Sequence, residues 1–422
     1  MIAIKCKKII PVTKGVIKDG VILVEDGRIK KVGSESDVSI PEEAEVIEGT
    51  SWTAFPGIID PHSHAGVYEE GTGLGVGDGN EATDPVTPHV RALDAITPDD
   101  PGIKRALSGG VTTLCVTPGS ANVLGGRAVT MKTHGKYLED MVIDYEAGIK
   151  AAFGENPKRV YGEMNKTPST RMGNVSKLRD ALVNTQNYMN KWEEYERKQG
   201  RYEKKLKEWR QAREEGEAKE KERPEPPSKP ERNLLFEDLS KVLKKEMPLR
   251  CHAHRKSDIM TAIRIADEFD IDITIEHCTD GHKCMEIFKE KRIPAIVGPT
   301  LGFRSKIELR GLSWHTIGKM YNEGILVALT SDHPVVPLQF QNVYAAIASR
   351  EELPEQGAWE VLTINPAKIL GIDDRVGSLE EGKDADIVLF EGDPLDARSK
   401  VMKVLVNGEI AYDRSETKGD LY

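Results

Sequence analysis

Apolar positions along the chain fall into distinct rhythms. Residues 1 to about 55 alternate over short runs, Ile2–Ile4, Gly15-Val16-Ile17 and Val21-Ile22-Leu23-Val24, with the turn Glu25-Asp26-Gly27-Arg28 before Ile29-Lys30-Lys31-Val32. Period-two alternation broken by such turns predicts an antiparallel hairpin meander. From residue 55 the pattern becomes apolar runs separated by helix-length segments. The runs are Phe55–Ile59, Thr112–Val116, Ala128–Met131, Gly148–Ala152, Pro248–Cys251, Ile271–Ile275, Pro294–Val297 and Ile325–Leu329. Parallel strands need long crossovers. These units therefore predict an α/β fold, a closed TIM-like (β/α)8 barrel over residues 56–371 with its chemistry at the C-terminal strand ends. After a helix-like stretch around Glu355–Leu370, strand pattern returns in Asp386–Phe390, Lys403–Val406 and Glu409–Tyr412, the last two joined by Asn407-Gly408. Residues 1–55 and 372–422 together predict one small β-sandwich built from both chain ends.

Residues 180–233 interrupt this pattern. Within Lys191–Arg232 charges of both signs interleave, while Trp192, Tyr195, Tyr202, Leu206 and Trp209 recur at helical spacings. One narrow apolar stripe on a solvated helix follows, inserted as a charged arm between strands four and five. The run Pro224–Pro230 predicts a semi-rigid polyproline linker. A surface hairpin or a contact within a homo-oligomer is the expected role of the arm.

Composition narrows the functional classes. With 38% hydrophobic and 30% charged residues the chain can bury a large core. A net charge of -10, from 59 basic and 69 acidic side chains, argues against a nucleic-acid partner. No run approaches the roughly 18 apolar residues of a membrane span, and MIAIKCKKIIPV lacks a signal-peptide core. Cys6, Cys115, Cys251, Cys278 and Cys284 show no paired spacing and are expected as reduced thiols. The expectation is a cytoplasmic protein acting on a small molecule, without a membrane partner.

The strand ends carry the candidate chemistry. Pro56-Gly57-Ile58-Ile59-Asp60-Pro61-His62-Ser63-His64 places two imidazoles on one face of an extended segment, where they can share a metal ion. Strand five ends in Cys251-His252-Ala253-His254, strand six in Glu276-His277-Cys278, and strand eight in Thr330-Ser331-Asp332-His333. His252 and His254 lie on one face, so either can be the strand-five ligand; Cys251 and Cys278 are expected on the opposite side of their strands. His134, His282 and His333 are weaker candidates. Asp332 can bind metal and still accept a proton. Lys150 stands alone in the apolar run Gly148–Phe153, where an ammonium is costly. It is expected either to pair with a carboxylate such as Glu155 or to react with carbon dioxide, giving a carbamate that bridges two metal ions.

These residues resemble the metal-dependent amidohydrolase superfamily, as do Thr363-Ile364-Asn365-Pro366-Ala367-Lys368 and the tail Gly377-Ser378-Leu379-Glu380-Glu381-Gly382-Lys383-Asp384-Ala385-Asp386. The resemblance implies a distorted barrel with a β-sandwich. It also implies that His62 and His64 hold one metal with Asp332, that His252 and His277 hold a second, and that carboxylated Lys150 bridges them. The implied reaction is attack of a metal-bridging hydroxide on a carbonyl or similar centre, with Asp332 moving the proton. Nitrogen and oxygen donors suit zinc, two ions, with manganese, iron or cobalt as substitutes.

Within the superfamily the chain looks most like the branch of imidazolonepropionases and prolidase-like metal carboxypeptidases. Ile149-Lys150 matches the prolidase-like members, and His252-Ala253-His254-Arg255-Lys256 lacks the glutamate that imidazolonepropionases and many deaminases carry shortly after the strand-five histidine. Hydrolysis of an amide or peptide-like C–N bond is therefore expected, in a dipeptide, N-acyl amino acid or cyclic amide. Imidazolone ring opening or deamination at one metal, lactone or ester hydrolysis, and a non-catalytic binding module are the alternatives. Tyr161 and His134 are candidates to polarise the carbonyl, and Arg171, Arg255 or Arg304 to hold a substrate carboxylate. The glycine-rich segment Glu69–Asp84 is expected as a lid.

Overall fold

The computed structural model describes residues 1–71, 77–215 and 222–416. Its strands, in chain order, are β1 (Ile2–Ile9), β2 (Ile17–Glu25), β3 (Arg28–Ser34), β4 (Glu45–Pro56), β5 (Ile58–Ser63), β6 (Val111–Val116), β7 (Leu124–Arg127), β8 (Val129–Lys132), β9 (Val142–Asp144), β10 (Ile149–Ala152), β11 (Leu249–Ala253), β12 (Ile273–His277), β13 (Ala295–Val297), β14 (Val327–Leu329), β15 (Ile387–Glu391), β16 (Lys400–Val406) and β17 (Glu409–Asp413). The expected N-terminal meander forms: β1 and β2 pair antiparallel from Ile2↔Val24 to Ile9↔Ile17, and β3 follows through a tight turn. Both residues of that turn, Asp26 and Gly27, have positive φ, as a two-residue hairpin with native twist requires.

The tail strands join the same sheet. β15 pairs antiparallel with β4, giving one seven-stranded sheet in the order β17-β16-β15-β4-β1-β2-β3. Both chain ends thus share a single continuous sheet. Ile4, Ile22, Leu389 and Leu405 pack in one apolar cluster, and Ala3, Val21, Leu23 and Val38 in another, as period-two alternation dictates. Phe55, expected in the first barrel strand, belongs to this sheet instead, and the barrel begins at Ile58. Gly57 lies between them because a Cβ there would meet Thr112 Oγ1 at 2.0 Å.

The remaining strands form a TIM-barrel-like α/β fold. β5 and β6 are parallel, as are β10 through β14 in unbroken succession. The expected third parallel strand is different. β7 pairs antiparallel with β10 and β8 antiparallel with β6. Gly126, at φ 114°, lies in β7 just before this change of pairing partner.

No strand ladder joins β5 to β14 among the described residues; side chains close that seam. Asp60 accepts from Thr330 Oγ1 at 2.8 Å, from the Ser331 N–H and the His62 N–H at 3.1 Å each, and from Ser331 Oγ. The ends of the first and last barrel strands are thereby locked together.

The inserted segment begins earlier than expected, as one 44-residue helix from Arg171 to Glu214. Its first half buries Leu178, Ala181, Leu182 and Thr185, and Tyr188 packs on Phe236 of the helix Leu234–Leu243. Beyond that the stripe from Trp192 to Trp209 is half-buried. Lys229, in the proline-rich return, stacks over Trp192 at 5.7 Å. Among the described residues no helix is long and apolar enough to cross a membrane.

Candidate metal centre

Histidines gather where the strands end. His62 and His64 from β5 have ring centroids 5.1 Å apart, His62 and His277 4.7 Å, His252 and His277 4.4 Å, and His252 and His254 4.8 Å. Among the described residues two groups bring their ligand atoms within 4.8 Å of one another: His252, His254 and His277, and His62, His277 and Asp332. Both strand-five histidines therefore face inward.

The far side of most rings is fixed. His64 Nδ1 donates to the Thr117 carbonyl at 2.8 Å and His277 Nδ1 to the Gly298 carbonyl at 2.9 Å, while His62 Nδ1 bonds to Glu276. His254 Nδ1 lies 2.8 Å from Thr279 Oγ1. Holding Nδ1 leaves Nε2 as the free donor, the arrangement that metal-ligating histidines show. Asp332 Oδ1 lies 3.3 Å from His62 Nε2 and 3.2 Å from His64 Nε2. Burial would raise the Asp332 carboxyl, but His277, His62 and His64 outweigh it and hold it well below the usual carboxylate range. Asp332 and His277 adopt left-handed backbone, φ 52° and 69°, conformations that non-glycine residues keep mainly where function demands a particular side-chain aim.

Beneath this ring lies a buried charge cluster. Lys150 Nζ is 3.2 Å from His62 Nε2 and 3.6 Å from Glu276 Oε2; its ion-pair partner is thus Glu276 rather than Glu155. Burial lowers the amine below its ordinary value, which favours the neutral form that can react with carbon dioxide. Glu276 in turn takes Arg250 Nε at 2.7 Å. Arg250 is fully buried and donates to the Pro61 carbonyl at 2.6 Å. Burial raises the Glu276 carboxyl, and Arg250, His62 and Lys150 more than reverse that, keeping it ionised.

A cavity of about 500 Å³ opens above the ring, bordered by His64, Tyr68, Arg159, Phe303, Lys306 and Asp332. Glu308, from the loop after β13, is buried with Oε1 3.7 Å from His252 Nε2 and 3.8 Å from His254 Nε2. Sequence reading missed it, since a lone glutamate eleven residues after a strand carries no pattern. Asp60 and Glu276 were also missed as network residues, although each adjoins a histidine motif in the chain.

Other expected residues fall elsewhere. Tyr161 is buried with its hydroxyl donating to Asn122 Oδ1 at 2.6 Å, and it does not border the cavity. His134 lines a separate pocket beside Tyr412 and sits 3.7 Å from Glu409. Neither is placed to polarise a substrate carbonyl, because both helix and hairpin geometry direct them away from the strand-end ring. Arg171 pairs with Asp258 at 2.9 Å in another pocket, and Arg304 donates to the carbonyls of Arg310 and Leu312. Arg255 precedes the helix Lys256–Phe269 and does not border the cavity. His282 bonds through Nδ1 to Thr316, and His333 is buried with no hydrogen bond on either ring nitrogen. Of the expected lid, residues 72–76 lie outside the described residues; Tyr68 and Asn80 on its flanks hydrogen-bond to each other beside the cavity. All five cysteines are buried free thiols.

A divalent cation fits this donor set: several imidazoles with their outer nitrogens fixed, an ionised carboxylate, and a His252 ring with neither nitrogen hydrogen-bonded. Comparison with known proteins points the same way. The chain is 31% identical over 412 residues to the amidohydrolase tasK of Hapsidospora irregularis, covering 93% of this chain but 40% of that protein's length. A crystal structure of an amidohydrolase from Thermotoga maritima MSB8 is 44% identical with TM-score 0.87, covering 98% of this chain and 100% of that one. A prolidase complexed with N-methylphosphonate-L-proline shares the fold, at TM-score 0.58 and 16% identity over 97% of this chain and 98% of that one. The model of the amidohydrolase family matches residues 53–412, and the chain belongs to that family.

Proposed function

We propose that the chain is a metal-dependent hydrolase that cleaves an amide or peptide-like C–N bond, with zinc as the first choice of metal. One observation carries this most directly: the donors of His62, His64 and Asp332 converge beside those of His252, His254 and His277, with Lys150 buried against His62. His62, His64 and Asp332 would hold one ion and the strand-five and strand-six histidines a second. Lys150, as its carbamate, would be shared between them. The metal when bound supplies Lewis acidity, lowering the pKa of water from 15.7 towards about 7 and polarising a carbonyl.

The chain's own residues do the rest. Asp332 stays ionised and is 15% exposed towards the cavity, so it can take a proton from the attacking water and pass it to the departing nitrogen. Arg159 and Lys306 border the mouth and complement a substrate carboxylate, while Leu301 and Phe303 offer it an exposed apolar rim. A dipeptide or N-acyl amino acid matches both features. Cyclic amides and lactones share the reacting centre and belong in the same screen.

A second reading, water attack at a single metal as in deamination or imidazolone ring opening, has one observation in its favour. Glu308 reaches the strand-five histidines through space, although no glutamate follows them in sequence. Metal analysis separates the two readings, on protein grown with zinc or manganese and bicarbonate, comparing wild type with Lys150→Ala. About two equivalents, falling on mutation, is the expected result. One equivalent unchanged by the mutation would defeat the bridged reading and bring the second forward.

A further inference from the structure

Both ring nitrogens of His252 are buried without a hydrogen bond, and Glu308 Oε1 is buried beside them with Lys306 Nζ 2.6 Å away. Buried ring nitrogens of this kind are unfavourable unless something satisfies them. The carboxylate is aimed rather than loose: Oε2 accepts from the Glu155 backbone N–H at 3.1 Å, at the start of the helix Glu155–Glu163. Gly154 makes room, since a Cβ there would meet Oε2 at 2.7 Å. Oε1 is thereby directed at His252 Nε2 and His254 Nε2, 3.7 and 3.8 Å away.

Those separations discriminate between roles. A hydrogen bond between carboxylate and imidazole spans about 2.7–3.2 Å, so these are too long. Two ligands of a tetrahedral ion at 2.0–2.2 Å lie about 3.4 Å apart, within a few tenths of the observed gaps. His254 already has Nδ1 engaged by Thr279, which leaves its Nε2 for the same centre.

We propose that Glu308 is a carboxylate donor to the cation held by His252, His254 and His277, adding one oxygen to the strand-five side of the site. This rests on the metal-dependent reading above. Lys306 Nζ, 2.6 Å from Oε1, then acts as a competing cation that the metal displaces. The carboxylate neutralises part of the ion's charge and biases this position towards metals that accept oxygen donors, zinc and manganese included.

The test is cobalt and zinc binding to metal-free protein, by competition with a chromogenic chelator and by cobalt visible absorption. It uses wild type, Glu308→Gln, Glu308→Ala and Lys306→Met, with circular dichroism melts to check folding. The expected result is that wild type binds two equivalents, and that both Glu308 variants weaken one of them at least about tenfold and leave the other unchanged. Lys306→Met should bind that ion as tightly as wild type or more so, whereas a mere Glu308–Lys306 ion pair would make the Lys306 and Glu308 variants alike. If the Glu308 variants do not fold, looser binding in Lys306→Met overturns the proposal and tighter binding supports it. Two equivalents unaffected by Glu308→Ala overturn the Glu308 assignment and leave the two-metal reading standing. Should that variant keep its metals yet lose turnover, Glu308 is a proton acceptor instead. One equivalent in wild type defeats the two-metal reading, and the Glu308 proposal then stands or falls on whether that single ion is weakened.

Discussion

The two halves of the candidate centre are built to different standards of rigidity. On the side of β5 and β14, His62 and His64 each have Nδ1 bonded, the Asp332 N–H donates to Thr330 Oγ1 at 3.0 Å, and Asp60 ties both strand ends together. On the side of β11, His252 has no hydrogen bond on either ring nitrogen and Glu308 comes from a loop whose neighbours Leu301 and Phe303 are exposed. One half is held whether or not a ligand is present, and the other gains its missing partners from one. The first is suited to keep an ion, the second to exchange it or adjust around substrate.

The largest effect should come from breaking the rigid half. Asp332→Asn keeps the shape but removes the negative charge beside His62 and His64 and the capacity to accept a proton. Turnover should fall by about 10²- to 10⁴-fold, the usual worth of a positioned acid-base group, while the metals remain largely bound. Steady-state kinetics alongside metal analysis checks this. A variant within a few-fold of wild-type turnover would mean that the proton is handled elsewhere, with Glu308 the next candidate.

Next in size is the buried support. Glu276→Gln leaves Arg250 without its anion and His62 without a charged acceptor, both fully buried. Losing one partner of a buried pair costs about 3–5 kcal/mol, and loss of a histidine's outer partner weakens metal binding about 10- to 100-fold. Chemical denaturation and chelator competition measure the two separately. The comparison predicts that the ion on the β5 side suffers most, because His62 belongs to that half.

This contrast also explains how much was legible in the chain. His62, His64, His252, His277, Asp332 and Lys150 stand out because strand-end ligands sit beside apolar runs, and the period of a strand tells which neighbours share a face. The residues that aim them do not stand out. Arg250 sits in an apolar strand pattern where an arginine looks misplaced until Glu276 on the adjacent strand is known, and that pairing depends on register across the barrel. Glu308 depends on a loop path that no periodicity encodes. The run Ala128–Met131, expected as a parallel strand, is the antiparallel β8, because an apolar run carries no direction, and the four-residue β7 before it, with two glycines, carries no apolar run at all. Tyr161 and His134 were judged by proximity to strand ends in the chain, whereas burial against Asn122 and the pocket beside Tyr412 decide where they point.

Metal removal sharpens the comparison at smaller scale. Stepwise dialysis against a chelator should release the ion on the β11 side first, since no hydrogen bond holds the His252 ring and Glu308 comes from a loop, and half-depleted protein should melt close to the loaded form. Thermal scans and metal analysis at each step follow it. Stabilisation by a bound ligand grows as RT ln(1 + [L]/Kd), so the later, tighter ion should account for most of the loss in melting temperature.

The smallest effect is expected far from the ring, on the arm. Trp209 lies in the exposed half of the helix Arg171–Glu214, with Arg213 over its ring at 5.4 Å and its side chain half-buried. Surface substitutions outside packed features usually change stability by within about 0.5 kcal/mol. The barrel ligands are anchored by strands and buried hydrogen bonds that do not involve this half of the helix. Trp209→Ala should therefore leave turnover within about twofold and metal content unchanged, measured by the same assays as Asp332→Asn. A large loss of turnover with intact folding would show that the arm reaches a catalytic site, its own or that of a second copy, and would end the separation between a rigid strand-end centre and an independent arm.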